Sequence, residues 1–410
     1  MKLRNDCDQI IAQAITAVQP AAAVRRALKE ITLTGGRVVL VAAGKAAWSM
    51  ARAAYDCIGE QLSGGIGITK HGHAQGPIGS LLIREAGHPV PDDDTFSATE
   101  EALALTQDLT AEDTVLFLLS GGGSALFEAP LVPQEELQKI TQSLLACGAD
   151  IVEMNTIRKR LSAVKGGRFA QHCAPARVCS IVLSDIIGDP LDMIASGPAY
   201  PDSSTCADAL AIAKKYDLPL SPAAAGCLER ETPKTLDNIH TVITGSVREL
   251  CSAAAAACRE LGYEPVVLTD SLTCEAREAG AFLAAIARSH QDTDRSLAFL
   301  AGGETVVHLT GKGKGGRNQE LALAAAEGIA GLENTAVFSV GSDGTDGPTD
   351  AAGGFVDGGT RDALAGQGIR IFDVLRQNDA YTALTACGGL IVTGATGTNV
   401  NDVAVRLIRR

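Results

Sequence analysis

Val38-Val39-Leu40-Val41-Ala42-Ala43-Gly44-Lys45 and Val115-Leu116-Phe117-Leu118-Leu119-Ser120-Gly121-Gly122-Gly123-Ser124 share one pattern. In each, a short apolar run stops at a glycine-containing loop that carries a charged or hydroxyl residue. Three more runs behave the same way. Val178 to Leu183 ends in Ser184-Asp185, with Gly188-Asp189-Pro190 beyond, and Leu297 to Ala301 ends in Gly302-Gly303-Glu304. Ala336 to Val340 ends in Gly341-Ser342-Asp343-Gly344-Thr345-Asp346-Gly347-Pro348. Runs of this length, rich in Val, Leu and Ile and bounded by glycine, read as fully buried parallel strands. In open α/β sheets, ligands bind outside the carboxyl ends of the strands. Glycine there lets backbone N–H groups approach a ligand, and the following helix turns its positive end towards an anion. Lys, Ser, Asp and Glu at these ends suit phosphate together with a divalent cation, the needs of phosphoryl transfer.

Strand-then-helix alternation is expected from Arg37 to about Asp217, with helices over Ala46 to Cys57 and within the basic block Asp150 to Cys173. Leu218 to Thr235 has no strand pattern and reads as a linker. A second alternating block is expected from Ile239, with a helix over Val247 to Leu261, a strand over Pro265 to Leu268 and a helix over Asn318 to Gly328. A strand over Gly389 to Thr393 and a closing helix over Asp402 to Arg409 complete it. Two α/β/α sandwich domains are therefore expected, residues 1–235 forming an N-terminal Rossmann-like domain and 236–410 a C-terminal α/β domain. The cleft between two such domains is where small-molecule sites favour sitting.

The 410 residues are 46% hydrophobic and 20% charged, which implies a well-buried globular protein. A net charge of -13 excludes the basic face that nucleic acid requires, and means that a phosphate ligand must be held by local cations. No stretch approaches the ~18 apolar residues of a membrane span, and Met1 to Gln19 lacks a signal-peptide core, so a cytoplasmic location is expected. Asp6 to Val18 reads as an amphipathic helix. The 11 cysteines form no Cys-x-x-Cys pair, which argues against zinc and for thiols buried in a reducing compartment.

Each candidate site has a plainer competitor. Lys45, between a strand and a helix, could reach a phosphate at the helix start, although Ala42-Ala43-Gly44-Lys45 is not a Walker A loop and a lone lysine is ordinarily a solvated surface group. Ser120 to Ser124 reads as an anion cradle of backbone donors, not as a Gly-x-Ser-x-Gly nucleophile elbow. Gly311-Lys312-Gly313-Lys314-Gly315-Gly316-Arg317-Asn318 holds a formal Gly-x-Gly-x-x-Gly, but no strand-end acid follows at the dinucleotide spacing. Its cations fit an anion-gripping lid, or else a mobile solvated loop. Asp343 and Asp346, spaced by Gly344, are candidate Mg²⁺ ligands or simply turn residues. Asp185 and Asp189 are further metal candidates, with Glu304 a weaker one. His71 and His73 lack a third ligand at a recognisable spacing and read as ordinary loop residues. None of the seven histidines falls in the strand-end loops named above.

Taken together, these segments resemble the glycerate 2-kinase family, whose C-terminal half is the MOFRL module. The resemblance is carried by Ala43-Gly44-Lys45-Ala46, Gly87-His88-Pro89-Val90-Pro91, Ser120 to Ser124 and Asn155-Thr156-Ile157-Arg158-Lys159-Arg160-Leu161-Ser162. It continues through Leu183-Ser184-Asp185, Ala195-Ser196-Gly197-Pro198, Ala301-Gly302-Gly303-Glu304-Thr305, Gly315-Gly316-Arg317-Asn318-Gln319-Glu320, Gly341 to Gly347 and Thr396 to Asp402. It implies transfer of the γ-phosphoryl group of ATP to O2 of D-glycerate, with Mg²⁺ or another divalent cation. Lys45 and Arg317 would act in transfer. Ser120, Gly121, Gly122, Gly123, Ser124, Arg158 and Asn318 would bind substrate or phosphate, and Gly302, Gly303, Glu304, Lys314 and Gly316 the nucleotide. A homodimer is compatible with this reading. Family members also carry the label hydroxypyruvate reductase, so an NAD(P)H-dependent 2-hydroxy-acid dehydrogenase is the alternative. A nucleotide-binding regulatory module is a third class, which would not obviously need separate acidic and cationic loops.

Overall fold

The computed structural model describes residues 2–33, 35–184, 186–188 and 190–410, and these form two compact units. The first comprises residues 20–184 and 190–244, and the second residues 2–19, 186–188 and 245–410.

The first unit is built on six strands, β1 (Val38–Ala43), β2 (Leu62–Lys70), β3 (Leu82–Ala86), β4 (Thr114–Leu119), β5 (Arg177–Leu183) and β6 (Ile239–Thr244). Their order is β3-β2-β1-β4-β5-β6 and every neighbouring pair is parallel. This is the doubly wound order, in which the chain builds outward one way from β1 and then the other way from β4. Alternate side chains explain why helices cover both faces. Leu40, Ala42, Leu116, Leu118 and Ile181 pack with Ala23 and Val24 of helix Pro20–Ala27 and Met50 and Ala54 of helix Ala47–Ile58. On the opposite face Phe117 meets Phe127 and Phe169, with ring centroids 4.9–5.5 Å apart.

The second unit has strands β7 (Glu264–Leu272), β8 (Leu297–Gly303), β9 (Thr335–Gly341), β10 (Gly353–Asp357), β11 (Leu390–Ile391) and β12 (Asp402–Ile408), ordered β11-β10-β9-β12-β8-β7. Only β7 and β8 pair in parallel. The expectation of parallel pairing fails at Ala336 to Val340, since both neighbours of β9 run antiparallel to it. A strand buried on both faces reads as a continuous apolar run whichever way its neighbours point. The closing helix expected over Asp402 to Arg409 is instead the buried strand β12. Val403, Val405 and Leu407 face one core and Ala404 the other, a period of two rather than 3.6.

The units do not follow a single cut at residue 235. Helix Lys2–Ala17 packs Ile10, Ile11 and Ala14 into the same core as Leu250, Ala254 and Cys258 of helix Val247–Glu260. Asp6 accepts the Tyr263 hydroxyl at 2.6 Å and pairs with Arg409. The strand at Ile239 completes the first sheet rather than opening the second, and the expected linker contains helix Pro222–Leu228, whose Ala224 and Leu228 lie in a core with Met154 and Ile157. No helix among the described residues is long and apolar enough to cross a membrane.

Candidate active site

The strand order of the first unit reverses between β1 and β4, where the loops Gly44-Lys45 and Ser120 to Ser124 emerge side by side. Ser120 N–H donates to Ala43 O at 3.1 Å and Lys45 N–H to Gly121 O at 2.9 Å, so the loops stay paired beyond the last strand residues. Buried Ser120 accepts the Ala46 N–H on Oγ at 3.1 Å. Gly44 has φ +128°, and a Cβ there would lie 2.2 Å from Ser120 Oγ, so only glycine permits this approach. The N–H groups of Gly121 and Gly122 donate to nothing among the described residues. The exposed Lys45 ammonium has no partner there either. Two free backbone donors beside a free cation make an anion shelf in a chain of net charge -13.

His88, in a segment that carries the family resemblance but is assigned no role from it, joins this shelf. A Cβ on Gly122 would lie 2.9 Å from His88 Cδ2, 3.1 Å from His88 Nε2 and 3.2 Å from Lys45 Cγ. His88 follows β3, a strand outside the five runs read from the sequence, and so lies in a further strand-end loop. Burial, and then the positive charges of Lys45, Lys70 and His73, hold its pKa below the usual imidazole value. Among the described residues no carboxylate hydrogen-bonds its ring, so no His–carboxylate relay of the 2-hydroxy-acid dehydrogenase kind is formed by them.

Behind it, Ser124 Oγ lies 3.2 Å from Ser196 Oγ, which donates to Asn155 Oδ1 at 2.9 Å. Ala195 and Ser196 hold left-handed backbones (φ +51° and +61°), costing about 1–3 kcal/mol each, strain of the kind that clusters at functional sites. Within Arg158-Lys159-Arg160, Lys159 is buried against Asp202 at 3.0 Å, and buried Arg160 donates to Ser204 Oγ and O, both at 2.9 Å. Arg158 alone is left half-buried without a hydrogen bond among the described residues. Burial lowers its pKa, opposed by Glu128, which Lys165 already holds at 2.8 Å. An incoming carboxylate or phosphate would supply the missing counter-charge.

In the second unit, Arg317 opens helix Arg317–Ile329 and donates through Nε and Nη2 to Asp402 at 2.6 and 3.2 Å, and through Nη1 to Glu304 at 3.0 Å. Burial alone would lower its pKa, but Asp402 and Glu304 outweigh that and raise it. Burial also raises the Asp402 pKa, against the pull of Arg317. These groups border a cleft of about 920 Å³, lined also by Thr305, Leu309, Asp343 and Pro348. That volume suits a nucleotide-sized ligand.

Several expected ligands are engaged internally. Asp346 takes the N–H groups of Asn318 (3.1 Å) and Gln319 (2.9 Å) and both side-chain amides (3.3 and 3.0 Å), so it caps the helix. Four donors fill the carboxylate's acceptor sites and leave no position for a metal. Buried Asn318 also accepts Ser339 Oγ at 2.5 Å and faces the core rather than a substrate. Cβ atoms on Gly302 and Gly303 would strike Cys251 Sγ at 2.3 Å and Leu272 O at 2.2 Å, so sheet and helix packing account for them. On Gly316 a Cβ would lie 2.3 Å from Asp346 Cγ.

The lysine-bearing loop is anchored rather than free. Gly311 N–H donates to Asn378 Oδ1 (2.8 Å), Gly313 N–H to Gln377 O (2.8 Å) and Lys314 N–H to Asp379 Oδ1 (3.0 Å), while Lys314 Nζ lies 4.0 Å from the Tyr381 ring centre. Its glycines exist because residues 377–380 press against them.

Asp343 is half-buried, and its side chain accepts Thr345 N–H at 3.0 Å and Oγ1 at 3.1 Å. A Cβ on Gly341 would lie 3.3 Å from Asp343 Oδ1 and 3.4 Å from Asp402 Oδ1, so both carboxylates flank one point. Asp185 and Asp189 lie outside the described residues. Among the described residues the one trio of acidic or histidine ligand atoms within 4.8 Å of one another is His71, Asp92 and Asp94. The 2.8 Å His71–Asp92 hydrogen bond accounts for that trio without an ion.

An anion shelf at a doubly wound switch point, and a separate cleft with an acid-braced arginine, define a small-molecule phosphotransferase of two α/β units. Residues 6–229 match a domain of unknown function, DUF4147, and residues 297–402 match the MOFRL family. D-glycerate 2-kinase of Thermotoga maritima is 51% identical, with 98% of this chain and 97% of that protein covered. The crystal structure of Thermotoga maritima glycerate kinase superposes with a TM-score of 0.95 over 100% of both chains at 50% identity. A relative from Agrobacterium vitis, 40% identical over 98% of this chain and 93% of its own, bears the name hydroxypyruvate reductase only provisionally. The chain belongs to the glycerate 2-kinase family with a C-terminal MOFRL module.

Proposed function

We propose that this protein is a glycerate 2-kinase, transferring the γ-phosphoryl group of ATP to O2 of D-glycerate. The observation that carries the reading is the Lys45 ammonium beside the N–H groups of Gly121 and Gly122, all three without a partner among the described residues. Phosphoryl transfer has a loose transition state, so the protein's task is positioning and charge neutralisation. The shelf receives the negative charge of the acceptor and of the group in transit, and Arg158 receives the glycerate carboxylate.

In the second unit the cleft receives the nucleotide. Arg317 keeps two of its five N–H donors free after the three hydrogen bonds to Asp402 and Glu304. It offers those two to phosphate oxygens in a fixed orientation. Half-buried Asp343 and exposed Glu304 are oxygen ligands of the kind Mg²⁺ takes one or two of, completing its shell with water and phosphate. Mg²⁺ bound there would neutralise phosphate charge.

Incubation with D-glycerate, ATP and Mg²⁺ should yield a phosphoglycerate that enolase consumes without added mutase, which identifies the 2-isomer. Oxidation of NADH on hydroxypyruvate, without phosphorylation of glycerate, would establish the reductase instead.

A further inference from the structure

His88 has no role in the reading above, yet its ring is wedged against the shelf. The point a Gly122 Cβ would occupy is 3.1 Å from His88 Nε2 and 3.2 Å from Lys45 Cγ, so imidazole and lysine stem converge on the glycine that carries a free N–H. Glycine at 122 (φ +85°) is what admits the ring. The ring is half-buried, and neither nitrogen makes a hydrogen bond among the described residues.

The charged groups facing it are Lys45 after β1, Lys70 at the end of β2 and His73 in the loop that follows. All are cationic or ionise to cations, and among the described residues no carboxylate offsets them. Among the described residues, Glu128, Asp92 and Ser120 are already engaged. Glu128 is buried against Lys165 at 2.8 Å, and Asp92 Oδ1 takes the N–H groups of Gly87 and Thr95, both at 2.9 Å, while Oδ2 meets His71. Ser120 Oγ is buried on Ala46 N–H.

We propose that His88 is the catalytic residue that accepts the proton of the glycerate C2 hydroxyl during transfer. The inference rests on the kinase reading and on the placement of glycerate at the Lys45 shelf. As the O2–P bond forms, the bond from Pγ to the β,γ-bridging oxygen breaks and ADP leaves with that electron pair. The O2–H proton passes to the free ring nitrogen of neutral His88 and is then lost to solvent. A loose transition state puts little charge on O2 early, so the proton moves late and the effect is that of ordinary general-base catalysis, about 100-fold.

The test is the pH dependence of kcat/KM for glycerate at saturating ATP, in wild type and in His88→Gln. Wild type should show an acid limb centred below the ordinary imidazole pKa. His88→Gln should lose about 100-fold in kcat, with KM for ATP within about 3-fold of wild type, and its acid limb should vanish. Retention of kcat within about 3-fold, or persistence of the limb in the variant, overturns the proposal and makes His88 a packing wedge. Should Gln fail to fold, His88→Asn is read the same way, and absence of an acid limb in wild type overturns the proposal by itself. Lys45→Ala in the same assay separates the two readings, because near-native kcat there removes the shelf itself from the active site.

Discussion

Arg317 and Asp402 form a two-point pair, Nε to Oδ2 at 2.6 Å and Nη2 to Oδ1 at 3.2 Å, between the first residue of a helix and the first residue of a central strand. Such a fork fixes the guanidinium plane, which a lysine at 317 could not reproduce. Arg317→Ala is expected to lower kcat by at least ~100-fold, the effect of removing one preorganised donor. Arg317→Lys should recover little of it. Asp402→Asn, leaving the arginine present but loosened, should fall between. Steady-state kinetics of the three variants checks the order.

On the shelf, Lys45→Ala is likewise expected to lose ~100-fold in kcat. Gly122→Ala tests the geometry independently of charge. The new methyl would meet His88 and the Lys45 stem, in a left-handed backbone that costs an alanine roughly 1–2 kcal/mol. Activity should drop as far as in Lys45→Ala while thermal denaturation shows a folded protein of lowered Tm. Native activity in Gly122→Ala would contradict the convergence of these side chains on a working site.

What the sequence disclosed and what it hid have separate physical causes. The loops after Val38 to Ala43 and Val115 to Leu119 were legible because a glycine beside a buried strand end signals close backbone approach. Strand β2 was not, since Gly64, Gly65 and Gly67 dilute its apolar pattern; Gly65 is there because a Cβ would lie 2.3 Å from Leu40 O. Strand β12 read as a helix because Arg406 suggests a polar face, yet that arginine is fully buried, 4.2 Å from the Phe299 ring centre. His88 could not be assigned from spacing, because only the pairing of β3 beside β2 brings it to Gly122. Asp346 looked like a metal ligand because a carboxylate between glycines has the same appearance whether it faces solvent or caps a helix.

The metal prediction separates those two roles. Asp343→Asn should raise the Mg²⁺ concentration needed for half-maximal activity, because it removes an open oxygen ligand. Asp346→Asn should leave that requirement unchanged and instead cost about 1 kcal/mol of stability, as loss of a helix cap does. Titration of activity with Mg²⁺, alongside denaturant unfolding, distinguishes them. An unchanged requirement in Asp343→Asn would leave the ion to ATP and water.

His71 and Asp92 should leave a pH signature in stability but not in chemistry. Burial opposes ionisation of Asp92, yet hydrogen bonds from His71, Thr95 and Gly87 prevail and hold its pKa at about 2, below the usual 3.8. The bond to Asp92 raises the His71 pKa above 6.5. The carboxylate's contribution is present above pH 3.8 and is lost as pH falls through about 2. The histidine's contribution is present below 6.5 and is lost as pH rises through its elevated folded value. Wild type should therefore exceed His71→Ala in Tm by most between roughly pH 4 and 6.5, by a small margin because the pair is exposed. A Tm difference independent of pH would show that the pair contributes no charge interaction.

Arg158 is the strongest candidate in the first unit for recognising a carboxylate, because Lys159 and Arg160 on either side are committed to Asp202 and Ser204 while it has no hydrogen bond among the described residues. A half-buried guanidinium whose nearby carboxylate, Glu128, is already paired with Lys165 gains most from a bidentate anion. Hydrogen bonds to charged groups contribute about 1.5–3 kcal/mol, so Arg158→Ala should raise KM for glycerate by roughly 10- to 100-fold. KM for ATP should stay near its native value. The same variant should discriminate poorly against glycerol, which lacks the carboxylate that wild type requires. Kinetics with glycerate and glycerol on both proteins measures this. An unaltered preference for glycerate in Arg158→Ala would assign carboxylate recognition to the shelf N–H groups and Lys45 instead.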